Sequence, residues 1–294
     1  MLFNQPEKYF FKKRQSINLN GALISLDHPV VMGILNVTPD SFFEESRYNT
    51  KKEILESAKR MIADGASILD LGAYSTRPGA ADVSSQEEFD RLDEAMSTIR
   101  GAFPNFPISI DTFRSGVARK IIEKYGPCII NDISGGTLDP EMFRTVAQLK
   151  VPYILMHIQG TPENMQENPN YKDVFKETLH FLSERVAQLR TLGVADIILD
   201  PGFGFGKSME HNYELLNRLD GFKILEAPIL VGFSRKSMVY KPLNTCPQEA
   251  LNGTTVLNTL SLLQGANILR VHDVKEAVEA VKLVEITKST SKKS

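Results

Sequence analysis

The sequence has no tryptophan and only two cysteines in 294 residues, Cys128 and Cys246, far apart and in no CxxC pair. A disulfide framework and a cysteine-built zinc site are therefore excluded, and a reducing, cytoplasmic setting is expected. Charge of one sign is lacking as well. A formal net charge of -2 offers neither a basic field for a nucleic-acid backbone nor a polybasic stripe for an anionic membrane, so no nucleic-acid or membrane partner is expected. No apolar run reaches the roughly twenty residues that span a bilayer. The opening MLFNQPEKYFFKKRQSINL lacks the unbroken apolar stretch and small-residue cleavage site of a secretory signal. The histidines form no HExxH and no facial pair beside carboxylates, and no Gly-x-Ser-x-Gly elbow marks a serine nucleophile. Chemistry that is electrostatic, without a covalent enzyme intermediate, is the expectation.

What is present is rhythm. At 42% hydrophobic and 24% charged residues the chain can bury a large core. Short, nearly continuous apolar runs recur: VVMGILN (30–36), SILDLG (67–72), PISID (107–111), CIIND (128–132), PYILMH (152–157), DIILD (196–200), PILVG (228–232) and NILRVH (267–272). Unbroken apolar character means that both faces are covered, which is the habit of parallel strands. Between them lie helical segments, the clearest from about Asp173 to Leu192, with Leu179, Leu182, Val186 and Leu189 on one face. Ser84 before Glu87 and Asp273 before Glu276 have capping-box spacing. Gly65, Gly193 and Gly265 read as left-handed helix stops leading into the next strand.

Eight strand and helix units in series predict an α/β fold, a (β/α)8 TIM barrel, with an open doubly wound sheet as the alternative that periodicity leaves standing. The segment 9–29, with Asn20 and Gly21 between apolar stretches, predicts an N-terminal β-hairpin plugging the lower end of the barrel. The expected organisation is one domain over 1–294, with residues 1–29 as the hairpin segment and 287–294 as a disordered tail.

In this architecture functional side chains come from strand C-termini and the loops after them. Asn36 ends the first strand, Asp111 the third, Asn131 and Asp132 the fourth, His157 the fifth, Asp200 the sixth, and Arg270 with His272 the eighth; Ser234-Arg235-Lys236-Ser237 follows the seventh. Each alone has a structural reading, Asp111 and Asp273 as caps and the asparagines as turn residues. Together they predict one polar pocket. Its Asp, Asn and Lys suit the edge of a flat amide-like heterocycle, while Arg270, His272 and the helix start near Ser237 suit anions.

DPGFGFGKS (200–208) invites two nucleotide-binding readings and satisfies neither. A P-loop needs glycine where Pro201 stands, and a dinucleotide fingerprint needs a third glycine where Lys207 stands. A flexible strand-end turn remains, with Phe203 and Phe205 either packing the barrel rim or lining the pocket. A hard, weakly held Mg²⁺ on a substrate diphosphate is the expected cofactor, since it needs one or two protein oxygens.

MGILNVTPDSF (32–42), LGAYSTRPGA (71–80), SIDT (109–112), NDISGG (131–136), MHIQG (156–160), DPGFGFGK (200–207), GFSRKS (232–237) and RVHDV (270–274) together resemble the dihydropteroate synthases, the match running from about residue 15 to 286. The resemblance implies a transferase of folate biosynthesis, the sulfonamide target family. Its members join 6-hydroxymethyl-7,8-dihydropterin diphosphate to p-aminobenzoate, giving dihydropteroate and diphosphate, and are usually homodimeric. By motif position it implies that Asp111, Asn131, Asp200 and Lys236 bind the pterin, with Met156 and Phe205 lining its slot. Asn36, Arg77, Arg270 and His272 would hold the diphosphate, Asn36 also touching Mg²⁺. Thr38, Pro39, Phe42, Thr76, Pro78 and Ser237 would meet p-aminobenzoate. Asp40, Arg77, Lys236, Arg270 and His272 would carry the catalysis.

The chain departs from the family pattern at Ala73 and Tyr74, where glycine and glutamate are common, and at Ile158, where methionine is usual. Two other readings share part of the pattern. A methyltetrahydrofolate-type methyltransferase barrel would share the pterin-holding residues but has no diphosphate to hold, whereas TPDSF, STRPG and RVHDV favour the synthase. A catalytically silent pterin-binding paralogue would be expected to carry a broken motif, and none is broken. The Gly, Pro and Ser content of loops 37–50 and 73–84 predicts segments that order when substrate and Mg²⁺ bind.

Overall fold

The computed structural model describes residues 15–19, 21–37, 47–74, 83–162 and 164–291. A two-stranded antiparallel hairpin, β1 (Ser16–Leu19) and β2 (Ala22–Ser25), comes first. Eight parallel strands follow: β3 (Val30–Asn36), β4 (Ile68–Gly72), β5 (Ile108–Asp111), β6 (Ile129–Asp132), β7 (Tyr153–Met156), β8 (Ile197–Asp200), β9 (Leu230–Val231) and β10 (Ile268–Val271). The helices are α1 (Arg47–Ala63), α2 (Ser85–Ala102), α3 (Ser115–Tyr125), α4 (Met142–Leu149), α5 (Val174–Thr191), α6 (Met209–Asn217), α7 (Ser237–Tyr240), α8 (Leu251–Gln264) and α9 (Val274–Ser291).

Strand neighbours run β8-β7-β6-β5-β4-β3-β10-β9, and a parallel bridge between Leu199 and Ile229 joins the two edges. That bridge closes the barrel and settles the choice between closed and open sheets. Each apolar run becomes a strand because its two faces meet different apolar partners. Val31, Leu69, Ile110, Ile130, Leu155, Leu199, Val231 and Leu269 belong to the large core under the helices, whereas Met32, Ile68, Ile129, Ile154, Ile198, Leu230 and Ile268 fill the barrel's lower interior. Ile17 and Leu26 of the hairpin segment join this inner cluster, so the hairpin is the plug the sequence predicts.

The predicted helix signals hold in detail at several positions. Asp173 caps α5 by accepting from the Lys176 amide at 2.9 Å, and Ser84 caps α2 from the Glu87 amide at 3.2 Å. Gly65, Gly193 and Gly265 have φ of 101°, 86° and 100°, the left-handed stops. Two expectations change. Asp273 stands before α9, but its carboxylate receives Nε and Nη2 of Arg235 at 3.2 and 2.7 Å. The tail expected to be disordered from 287 instead continues α9 through Ser291, with Lys288 Nζ donating to the Leu262 carbonyl at 2.8 Å.

Candidate active site

Register builds the site. Asn36, Gly72, Asp111 and Asn131 are paired in one row across β3, β4, β5 and β6, and Met156 pairs with Asp200 across β7 and β8. Because side chains alternate along a strand, the residue two above each inner apolar residue also faces inward. Ile129 therefore places Asn131 inside and sends Asp132 outside, and Ile198 places Asp200 inside. Gly72 keeps the row open: a Cβ there would lie 3.3 Å from Asn36 Oδ1 and 3.7 Å from Asp111 Oδ2.

A buried ion network lies beneath this row. Arg270 Nε donates to Asp70 Oδ2 at 2.6 Å, Arg270 Nη2 donates to Asp111 Oδ2 at 2.8 Å, and Asn131 Nδ2 donates to Asp70 Oδ2 at 3.1 Å. Asp111 is thus tied to Arg270 and is not a helix cap. Burial pushes its pKa up to about 7; Arg270 opposes the rise, and the nearby carboxylates of Asp70, Glu88 and Asp132 add to it. Asp70 is fully buried, and among the described residues its Oδ1 has no hydrogen-bond partner. The strand-end pattern does not single out Asp70, although a lone charge in the middle of the apolar strand SILDLG is the signal that marks it.

Across the barrel, Asp200 Oδ1 accepts from the Gly202 amide at 2.7 Å, and burial raises its pKa against the pull of Lys236. Lys236 Nζ donates to the Phe203 carbonyl at 2.6 Å and stands 4.5 Å from the centre of the Phe205 ring. Burial lowers the Lys236 pKa to about 8, with Asp200 resisting the fall. Gly204 and Gly232 make room for its stem and head, since Cβ atoms there would lie 3.1 Å from Lys236 Cδ and 3.9 Å from Nζ.

The two phenylalanines divide between their two readings. Phe203 is fully buried and packs on Phe233 with centroids 4.6 Å apart. Phe205 instead joins a small separate cluster with Met156, Ile158, Ile133, Met165 and Phe113. That cluster is the apolar slot beside Asp200 and Lys236.

His272 is held from both ends of its residue: its amide donates to Ser234 Oγ at 3.2 Å, and its Nδ1 lies 2.9 Å from the same oxygen. Ser237 is exposed and opens the short helix α7 directly after Lys236.

Two strand-end groups are spoken for elsewhere. Asp132 accepts from Ser134 N and Oγ at 2.7 Å, Gly136 N at 2.9 Å and Tyr153 Oη at 2.6 Å, so it shapes the turn after β6. His157 accepts at Nδ1 from Lys207 Nζ at 2.9 Å, and burial together with Lys207 and Arg185 drives its pKa down to about 2. A further buried pair, Glu88 with Arg114 at 2.5 Å, lies behind Thr112, and the Arg114 guanidinium sits 5.3 Å from the Tyr74 ring and 5.0 Å from that of Phe113. Thr38, Pro39, Asp40, Phe42, Thr76, Arg77 and Pro78 lie outside the described residues, as do most of loops 37–50 and 73–84. Among the described residues no group of three or more His, Cys, Asp or Glu side chains could hold a metal ion, and no helix is long and apolar enough to cross a membrane.

Residues 32–272 match the family described as pterin binding enzyme. The dihydropteroate synthase of Escherichia coli (strain K12) is 46% identical over 271 residues, 92% of this chain and 95% of that protein. That of Synechocystis is 43% identical over 258 residues, covering 87% of this chain and 89% of its own. Among solved structures, Yersinia pestis dihydropteroate synthase with a sulfonamide drug complex superposes with a TM-score of 0.87 at 41% identity, over 94% of this chain and 100% of that one. Xanthomonas albilineans dihydropteroate synthase with 4-aminobenzoic acid gives 0.86 at 34% identity, over 94% and 99%. The chain belongs to the pterin-binding enzyme family and, within it, to the dihydropteroate synthases, transferases of folate biosynthesis.

Proposed function

We propose that this site joins 6-hydroxymethyl-7,8-dihydropterin diphosphate to p-aminobenzoate and releases diphosphate and 7,8-dihydropteroate. The observation that carries the reading is the meeting of Asp111, Asn131, Asp200 and Lys236 at one rim beside the Met156 and Phe205 slot. A flat ring entering that slot finds apolar faces and a polar edge: carboxylates for its N–H donors and an ammonium for its ring oxygen.

Arg270 and His272 are the donors for the diphosphate, and Asn36, Arg77 and Ser237 complete the anion and p-aminobenzoate contacts together with Thr38, Pro39, Phe42, Thr76 and Pro78. The C–O bond to the diphosphate breaks first, its electron pair leaving with the diphosphate; the aniline nitrogen then bonds to the methylene carbon and gives up a proton to the departing diphosphate or to solvent. Asp111 and Asp200 favour the cationic ring that results, and Arg270, His272 and Arg77 meet the charge growing on the departing oxygen. Asp40 completes the catalytic set from the first loop. No strong base is required, and positioning of the weak aniline nucleophile supplies much of the rate.

Mg²⁺ fits as a companion of the substrate. Asn36 offers one neutral amide oxygen beside the open backbone of Gly72, a donor set too sparse to hold the ion alone but sufficient beside phosphate oxygens. When bound, the ion neutralises diphosphate charge.

The barrel and its hairpin act as one domain in the cytoplasm, as a homodimer. Exposed apolar residues of α8 and α9, Val256, Leu260, Leu263, Leu283 and Ile286, support a subunit face there. Incubating purified protein with Mg²⁺, the dihydropterin diphosphate and p-aminobenzoate tests the activity. Formation of dihydropteroate is expected, and failure to form it while both substrates stay intact would refute the reading.

A further inference from the structure

The loop from β8 to α6 carries a second buried lysine that the proposed reaction does not use. Lys207 is 3% exposed, and its Nζ lies 2.9 Å from the Gly202 carbonyl, 3.0 Å from the Phe205 carbonyl, 3.4 Å from the His157 carbonyl and 2.9 Å from His157 Nδ1. An ammonium has three hydrogens, and four acceptors of the protein already face it. None is left for a substrate.

The loop needs a hydrogen-bond donor at this point. Gly202, Gly204 and Gly206 all have positive φ, 73°, 81° and 60°. The backbone is also pressed against the end of β7 so closely that a Cβ on Gly202 would stand 1.9 Å from the His157 carbonyl oxygen, and one on Gly206 2.4 Å from that of Gln159. Carbonyl oxygens converging in a dry interior repel one another and are costly without a donor. Lys207 supplies that donor; burial lowers its pKa to about 7, with Asp200 resisting the fall, and in its protonated form it favours the ionised form of Asp200.

The same few residues form one wall of the proposed pterin site. The Gly202 amide holds Asp200, the Phe203 carbonyl holds Lys236, and the Phe205 ring faces the Lys236 ammonium. We propose that Lys207 is a positioning residue, a tethered internal donor whose contacts with Gly202, Phe205 and His157 set the loop that aims Asp200, Phe205 and Lys236 at the pterin ring. The proposal rests on the pterin reading of this site.

Lys207→Met and Lys207→Ala test it. A misplacement of the order of one ångström at a reacting centre costs on the order of a hundred-fold in rate. Both variants are therefore expected to lose kcat/KM for the dihydropterin diphosphate on that scale, with KM for p-aminobenzoate little changed. Lys207→Ala, which leaves the cradle empty, is expected to recover part of the loss in ammonium chloride and none in tetramethylammonium chloride of equal ionic strength. Lys207→Met, whose side chain fills the space, is expected to recover nothing.

Amide exchange at 202–206 provides a readout independent of turnover and is expected to quicken in both variants. If the wild-type protein forms no dihydropteroate the pterin reading falls, and the exchange measurement still decides whether Lys207 sets the loop. Wild-type kinetics in Lys207→Met, unchanged exchange in either variant, absence of ammonium recovery in Lys207→Ala, or failure of both to fold even in ammonium would overturn the proposal.

Discussion

Arg270 Nη2 donates to Asp111 Oδ2 at 2.8 Å, so the cation proposed for the diphosphate and the carboxylate proposed for the ring are paired with each other before any substrate is present. The pair carries a pH signature. Asp111 has a folded-state pKa of about 7 against an ordinary 3.8, so across that interval the folded protein keeps a proton that the unfolded chain has released. Its contribution to stability is complete below the ordinary value and is lost as pH rises through about 7. The melting temperature should therefore fall between those values, and Asp111→Asn should flatten the slope. An equal slope in the two proteins would remove Asp111 as its source.

The pH profile of kcat/KM for the dihydropterin diphosphate should be bell-shaped. That quantity reports groups of the free enzyme. Asp111 must lose its proton, near pH 7, to accept from the ring, and Lys236 must keep its own, which it loses near pH 8. A narrow optimum between the two is expected from initial rates at low substrate, and a flat profile through that range would separate these groups from binding.

Lys236→Ala and Asp200→Asn should each lose on the order of a hundred- to a thousand-fold in turnover, the scale for removing one preorganised polar contact to a developing charge. Folding should suffer far less, because both groups sit in the polar mouth, away from the apolar layers that hold the strands together. Steady-state rates set beside thermal melting decide this, and near-normal product formation by either variant would withdraw its assignment.

Leu283→Glu combined with Ile286→Glu should shift the protein toward monomer. These positions are 65% and 61% exposed on α9, and charge on an apolar subunit face is strongly disfavoured once buried. Sedimentation velocity measures the change. An unaltered sedimentation coefficient for a dimeric parent would move the interface elsewhere on the barrel.

Much of this architecture is legible in the sequence because an unbroken apolar run flanked by helical patterns has few other uses. VVMGILN becomes β3 without the change of a residue at either end, whereas PILVG shrinks to Leu230–Val231, the pair in register with Ile268 and Leu269 of β10. Asn131 and Asp132 are adjacent, and alternation alone sends the first inside and the second to its turn. Counting in twos along the strand from Ile129 makes the same division.

Asp70 and Lys207 escape the sequence motifs for opposite reasons. Asp70 sits mid-strand, below the rim where functional groups are usually sought. Lys207 stands in a glycine-rich string that invites comparison with nucleotide motifs, which draws attention from the plainer fact that carbonyls of a glycine turn need a donor. His157 has the sequence position of a pocket residue because its partner is fifty positions away, and distance along the chain hides a contact that folding makes short.

Ile17 and Leu26 stopper the bottom of the barrel, and a vessel with a closed floor has a single doorway. Whatever rests deepest has to arrive first, so on the proposed reading a ring in the Met156 and Phe205 slot would be seated before anything that covers it. The hairpin and the inner strand residues it packs on together leave the upper rim as the way in.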